Sequence, residues 1–371
     1  MNSSGLVHFL PIPLVSSEPY LQEQLNRASS STRCHPQWPL FAINRQGNWL
    51  NTSTTRFSAD EWALILGGSS GFGLATAHKL AEHGLNLCIV HRDRRGAMRK
   101  IEPEFERIRE RGVSLLTFNR DALDATVQNE ILDAFSETLA SQGTSQGRVR
   151  VLLHSIAFGN LKLIGPEAPK NEGARAQLAE ALGIEESVLM ESVDQLFEEG
   201  CDAVSGLTTA PKYAADLFLE EEDMALTVHA MGTSLLGWTQ ELFKRDLFAP
   251  DARVLGLTSE GNAVAWKGYA AVAAAKVALE SVSRSIAVEM APYGIRSNIV
   301  QAGVTDTNAL RMIPGSAHLK AQARIRNPFR RLTTPQDVAN VIYLLCLPEA
   351  GWINGEIVRV DGGERISGPS R

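Results

Sequence analysis

Leu66-Gly-Gly-Ser-Ser-Gly-Phe-Gly73 is the stretch that decides how this 371-residue chain folds. It follows an apolar run, Trp62–Leu66, and opens a stretch of helical spacing, Leu74–His83, which Gly84 closes. Glycines here permit a tight turn and let backbone approach a pyrophosphate, while the helix start offers unpaired N–H groups and a favourable dipole. A turn that merely contains glycines would match the letters. Strand, turn and helix in that order favour a dinucleotide site built from Gly67, Ser69, Ser70, Gly71, Phe72 and Gly73.

Outward from this turn, strand candidates recur at Leu85–Val90, Val113–Phe118, Val149–His154, Arg253–Thr258, Arg296–Val300 and Ile357–Val360. Several are continuous apolar runs, as strands buried on both faces require. Helical stretches lie between them, the longest being Tyr269–Met290, with Gly294 just beyond. The expected architecture is α/β: a Rossmann-like, doubly wound, parallel sheet of seven strands occupying residues 61–371. One segment departs from that plan. Between about 160 and 226 there is no strand signal, and Ala174–Leu182 and Ile184–Phe197 read as amphipathic helices of an acidic insertion. Its carboxylates read as solvated helix faces. Residues 1–60 carry no Lys, are rich in Ser, Thr, Asn and Pro, and are expected to be a flexible extension.

Composition narrows the function classes. A formal net charge of −6 argues against a nucleic-acid binder, which needs a basic surplus. Cys34, Cys88, Cys201 and Cys346 form no C-x-x-C pair, so neither a metal site nor a disulfide framework is indicated. No apolar run approaches the ~20 residues of a membrane span. The apolar run Leu6–Val15 lacks a basic start and is broken by Pro11 and Pro13, so a cytoplasmic location is expected.

The end of the second strand bears on the nucleotide. An acid there grips a ribose 2′-OH, whereas Arg accommodates a 2′-phosphate. His91 and Arg92 stand at the tip, followed by Asp93, and this favours NADP(H). Tyr269 and Lys276 are seven residues apart, close to two helical turns, so both side chains would point along one face.

With these residues the chain resembles the short-chain dehydrogenase/reductase superfamily over about Trp62–Ile366. The resemblance is carried by Gly67/Gly71/Gly73, Asp121 after the third strand, Tyr269 with Lys276, and Val360-Asp-Gly-Gly363. Most members place lysine four residues after tyrosine, and none of the five tyrosines here has a lysine at that spacing. The wider gap resembles the enoyl-acyl-carrier-protein reductases, as does His154-Ser-Ile-Ala-Phe158, and Asp306-Thr-Asn-Ala-Leu310 resembles their NADPH-using branch. The long insertion and N-terminal arm are not part of a minimal member. Ser259 stands where many enoyl reductases have a second tyrosine, and His229-Ala-Met231 stands where ordinary members have a helix asparagine.

The resemblance implies reduction of the trans-2 double bond of an enoyl thioester, carried on acyl-carrier protein or coenzyme A, with NADPH. Tyr269 would stabilise the enolate oxygen; Lys276 would bind the nicotinamide ribose and lower the tyrosine pKa; Ser259 would order the tyrosine or a water. Asp121, Ser155, Ile156, Ala157, Gly303, Thr305 and Thr307 would complete the cofactor site, the two threonines at the carboxamide. The spacing has a physical reading. In ketone reduction hydride goes to the carbon bearing the oxygen, whereas in enoyl reduction the charge develops on an oxygen two carbons further on. Moving the tyrosine from four to seven residues away displaces it by ~4.5 Å along the helix.

Basic residues cluster at Arg311, Lys320, Arg324, Arg326, Arg330 and Arg331, where an acidic carrier or a coenzyme A phosphate could dock, or which could line a solvated helix. Two other functions stay open: a carbonyl reductase or hydroxy-dehydrogenase, and a catalytically silent NADP-binding scaffold. Assembly into a homotetramer or homodimer, through 227–244 and 269–290, is the superfamily's expectation.

Overall fold

The computed structural model describes residues 56–141, 147–167, 173–213 and 218–368; the expected flexible extension therefore lies, up to residue 55, outside the described residues. The described residues belong to one unit. Its sheet consists of β1 (Glu61–Leu66), β2 (Asn86–His91), β3 (Leu115–Asn119), β4 (Arg148–His154), β5 (Phe248–Ser259), β6 (Ile295–Ala302) and β7 (Ile357–Val360). The order is β3-β2-β1-β4-β5-β6-β7, with every pairing parallel. Each expected strand is present. β5 is the one markedly longer than its apolar run, because Phe248 already pairs with Val149 ahead of the expected start.

Alternation along β1 divides the core between the two faces. Ala63 and Ile65 face α1 (Gly71–Glu82), α2 (Met98–Arg109) and α11 (Pro335–Cys346), meeting Leu80, Phe105 and Ile342. Trp62, Leu64 and Leu66 face α3 (Ala125–Ala140), α7 (Ser234–Lys244) and α8 (Ala270–Glu289), meeting Phe135, Trp238 and Leu279. Both faces are covered, which explains why the strands carry unbroken apolar runs. Local signals fix the helix ends: Asp124 accepts hydrogen bonds from the backbone N–H groups of Thr126 and Val127, and Thr334 and Asp337 cap α11 reciprocally behind Pro335. Just ahead of β1, Phe57 is buried edge-on against Tyr343.

The insertion contains α4 (Gly173–Leu182) and α5 (Glu186–Glu198), which pack Ala179, Leu189 and Val193 into a small core of their own. After it comes α6 (Glu221–Val228), joined to α7 by a π-helical turn, His229–Thr233. The continuous helix expected over 227–244 is thus interrupted at His229-Ala-Met231. Between β6 and α11 lie α9 (Asn308–Arg311) and α10 (Ser316–Arg326). Among the described residues no helix is long and apolar enough to cross a membrane.

Candidate active site

The strand order reverses between β1 and β4, and a cleft opens at the carboxyl ends of the strands there, as open parallel sheets generally provide. It has two lobes, of about 400 Å³ and 510 Å³, which share Phe72, Ser155–Phe158 and Thr307. The smaller lobe takes Gly67, Ser69–Phe72, His91, Arg92 and Asp121; the larger takes Ser259, Tyr269, Lys276, Gly303 and Thr305. Of the residues proposed from the sequence for catalysis or cofactor binding, Gly73 alone lines neither lobe.

Gly73 serves close packing instead. A Cβ there would come within 2.2 Å of the Gly67 carbonyl oxygen, so turn and helix touch backbone to backbone. Gly67 has φ +85°, and a Cβ on it would meet the Ser155 carbonyl oxygen at 2.6 Å. Gly71, at φ +54°, has only Thr307 nearby, at 3.8 Å, leaving the backbone open to the cleft. Ser70 makes no side-chain cap on α1, so the first N–H groups of that helix remain available to an anion. A glycine cradle below an uncapped helix start fits a dinucleotide pyrophosphate.

At the tip of β2 the side chains sort themselves. His91 is buried, its Nδ1 2.9 Å from Asp93 Oδ2, and Asp93 itself also lines the smaller lobe. Arg92 lies across the mouth, donating to Asp121 Oδ2 at 2.6 Å with its guanidinium 4.4 Å from the Phe158 ring centroid. Phe158 closes the His154–Phe158 motif without a role of its own in the sequence; only the fold brings it to Arg92.

In the larger lobe Tyr269 is the N-cap residue of α8, just outside the helix, rather than its first helical residue. Its hydroxyl stands 3.3 Å from Ser259 Oγ, and its ring packs over Gly261, where a Cβ would be 2.4 Å from Cε1. Burial pushes the phenol above its ordinary pKa, with the Ser259 hydrogen bond pulling the other way. Lys276, lining the same lobe, donates from its ammonium to the Leu257 carbonyl at 2.8 Å. Burial pushes Lys276 down to about 8, against the opposing charge of Glu280 one turn further along. Glu280 itself accepts from Thr258 Oγ1 at 2.6 Å and Asn262 Nδ2 at 2.5 Å. No local pattern could have flagged Glu280, since its partners come from β5 and the turn after it.

His154 is fully buried beside Ser234 Oγ at 2.8 Å and is pushed down to about 3, so it is neutral and structural. Where a helix asparagine would stand, Met231 enters the cavity and His229 faces outward. Thr305 donates to the Gly303 carbonyl at 3.0 Å, and Thr307 caps α9 by accepting from Leu310 N–H at 3.2 Å. The basic cluster is neutralised within the chain: Arg311 and Lys320 pair with Asp306, Arg324 with Asp202, Arg326 with Glu260 and Glu364, Arg331 with Asp337, and Arg330 bonds the Ile325 carbonyl. Each of these basic groups is thus engaged within the chain. Among the described residues no group of three or more His, Cys, Asp or Glu is placed to hold a metal.

A family model described as enoyl-(acyl carrier protein) reductase matches residues 203–364. The chain is 26% identical over 239 residues to the 3-oxoacyl-acyl-carrier-protein reductase of Aquifex aeolicus, an alignment covering 62% of this chain and 91% of that protein. It is 34% identical over 123 residues to the NADH-dependent enoyl-acyl-carrier-protein reductase of Escherichia coli, covering 33% of this chain but only 47% of that relative. Among solved structures, FabI from Candidatus Liberibacter asiaticus superposes with a TM-score of 0.61 at 18% identity, covering 84% of this chain and 97% of that one, and so shares the fold. The sheet order, the glycine turn and these similarities support a place for the chain in the short-chain dehydrogenase/reductase superfamily, near its enoyl reductases.

Proposed function

We propose that this protein reduces the trans-2 double bond of an enoyl thioester, carried on acyl-carrier protein or coenzyme A, with NADPH. The observation that carries the reading is the separation of two roles: Tyr269 stands outside α8 with its hydroxyl toward Ser259, while Lys276, further down, points to the Leu257 carbonyl. A bound NADPH supplies the hydride. The chain's own residues place and stabilise the rest. Backbone N–H groups of the turn at Gly67–Gly71 and the start of α1 bind the pyrophosphate, and Arg92 meets the 2′-phosphate in exchange for Asp121. Lys276 binds the nicotinamide ribose, and Thr305 and Thr307 border the carboxamide.

Tyr269 donates a hydrogen bond to the thioester oxygen as it becomes an enolate oxygen, the preorganised electrostatic help that is often the largest catalytic contribution. A phenol kept protonated by burial suits a donor. Ser259 orients that phenol. Met231, in place of a polar side chain, leaves the cavity beside Tyr269 and Val272 apolar, as an acyl chain needs.

A second reading, reduction of a ketone, draws support from the Ser259–Tyr269 hydrogen bond and from the similarity to a 3-oxoacyl reductase across most of that protein's length. Turnover of crotonyl and acetoacetyl thioesters, each with NADPH and with NADH, separates the readings. The proposal expects loss of nicotinamide absorbance with crotonyl thioester and a preference for NADPH. Turnover of acetoacetyl thioester alone would replace it with the ketone reading, and nucleotide binding without turnover would leave a silent scaffold.

A further inference from the structure

The insertion that a minimal member lacks is fastened to the lid of the acyl cavity. Leu310, Met312, Ile313 and Leu319, on α9, α10 and the loop between them, form one apolar wall of the 510 Å³ lobe. The outer side of that wall is tied to the insertion. Arg324 donates from Nε and Nη2 to both carboxylate oxygens of Asp202, at 2.6 and 2.5 Å. His318 Nε2 lies 2.6 Å from Thr208 Oγ1, and its ring sits 5.1 Å from that of Phe197 on α5. At Gly315 a Cβ would come within 2.7 Å of Pro211 Cγ. The anchor is itself stiff, because Asp194 on α5 accepts from Thr209 N–H at 2.8 Å and Thr209 Oγ1 at 2.6 Å. The far end of α10 is held by Arg326, bonded to Glu260 and Glu364 at 2.6 and 2.8 Å.

We propose that the insertion sets the upper size of the acyl group, with Asp202 and Thr208 acting as positioning residues that fix the lid wall through Arg324 and His318. The inference rests on the function proposed above. In this proposal a long acyl chain pushes the wall from Leu310 to Leu319 outward, and that displacement works against the Asp202–Arg324 pair. A short chain needs no such movement. The pair therefore penalises long substrates and leaves short ones unaffected, which is discrimination by exclusion.

The test compares trans-2-enoyl coenzyme A thioesters of four to twelve carbons in the wild-type protein, D202N, R324Q and the charge-exchanged double variant D202R/R324D. The wild type is expected to lose kcat/KM as the chain lengthens. D202N and R324Q are each expected to raise the twelve-carbon to four-carbon ratio of kcat/KM by about fivefold, the order one ion pair commands. Crotonyl turnover should stay near wild type, and the double variant should restore the wild-type ratio. An unchanged ratio in both single variants, with crotonyl thioester still reduced, would overturn the inference and leave the proposed function standing. Should no enoyl thioester be reduced by the wild type, the function reading fails by itself. Amide hydrogen exchange then tests the latch without substrate: faster exchange over 316–326 in D202N, with 71–82 unaffected, supports it, and identical exchange overturns it.

Discussion

Tyr269 and Lys276 share a cavity but face different neighbours, and two substitutions separate what each does. Tyr269→Phe removes the donor while keeping the ring over Gly261. Turnover is expected to fall by about a hundredfold or more, the cost of one lost transition-state donor, with NADPH affinity unchanged by fluorescence titration. Turnover within twofold of wild type would remove the role assigned to the hydroxyl. Lys276 is a stability cost. Burial lowers it from an ordinary 10.5 to about 8, so between those pH values the unfolded chain holds a proton that the folded chain has lost. Stability attributable to Lys276 therefore rises with pH through that window, by up to about 3 kcal/mol. Denaturant titrations should show Lys276→Met more stable than wild type at pH 7, with the gap closing toward pH 10.5 as NADPH binding by the wild type weakens. A gap independent of pH would contradict the burial account. Glu280 on the same helix and His154 on β4 are the titratable groups that interact electrostatically with this ammonium.

At the scale of elements, local signals were legible and distant ones were not. Strand, glycine turn and helix at 62–82 could be read because each step depends on neighbours within a few residues: an apolar run, a turn needing φ > 0, a helix closed by Gly84. The same holds for the cap at Thr334–Pro335. The interruption of the 227–244 helix was not legible, since a π-helical turn leaves the apolar spacing nearly intact. Within it Gly232 packs against α8, so closely that a Cβ would be 2.6 Å from the Ala275 carbonyl. π-Turns concentrate at functional sites, and this one delivers Met231 to the larger lobe. Arg324 and Arg326 read as part of a charged run because their partners, Asp202, Glu260 and Glu364, are distant in sequence. Charge can be counted from sequence, but pairing cannot.

For the whole molecule, the parallel order with its reversal between β1 and β4 places the glycine turn, the β2 tip and the β5–α8 tyrosine around one opening. Position in that cleft, more than any single motif, joins residues as far apart as Gly67 and Thr307. What chemistry the opening performs turns on which kind of C3 accepts the hydride, an alkene carbon or a carbonyl carbon. With NADPH carrying deuterium at the transferred position, the butyryl thioester formed from crotonyl thioester should hold deuterium on C3, the β-carbon, as read by mass spectrometry and NMR. Deuterium found only on the hydroxyl-bearing carbon of a 3-hydroxybutyryl product from acetoacetyl thioester, with crotonyl thioester left unreduced, would contradict it.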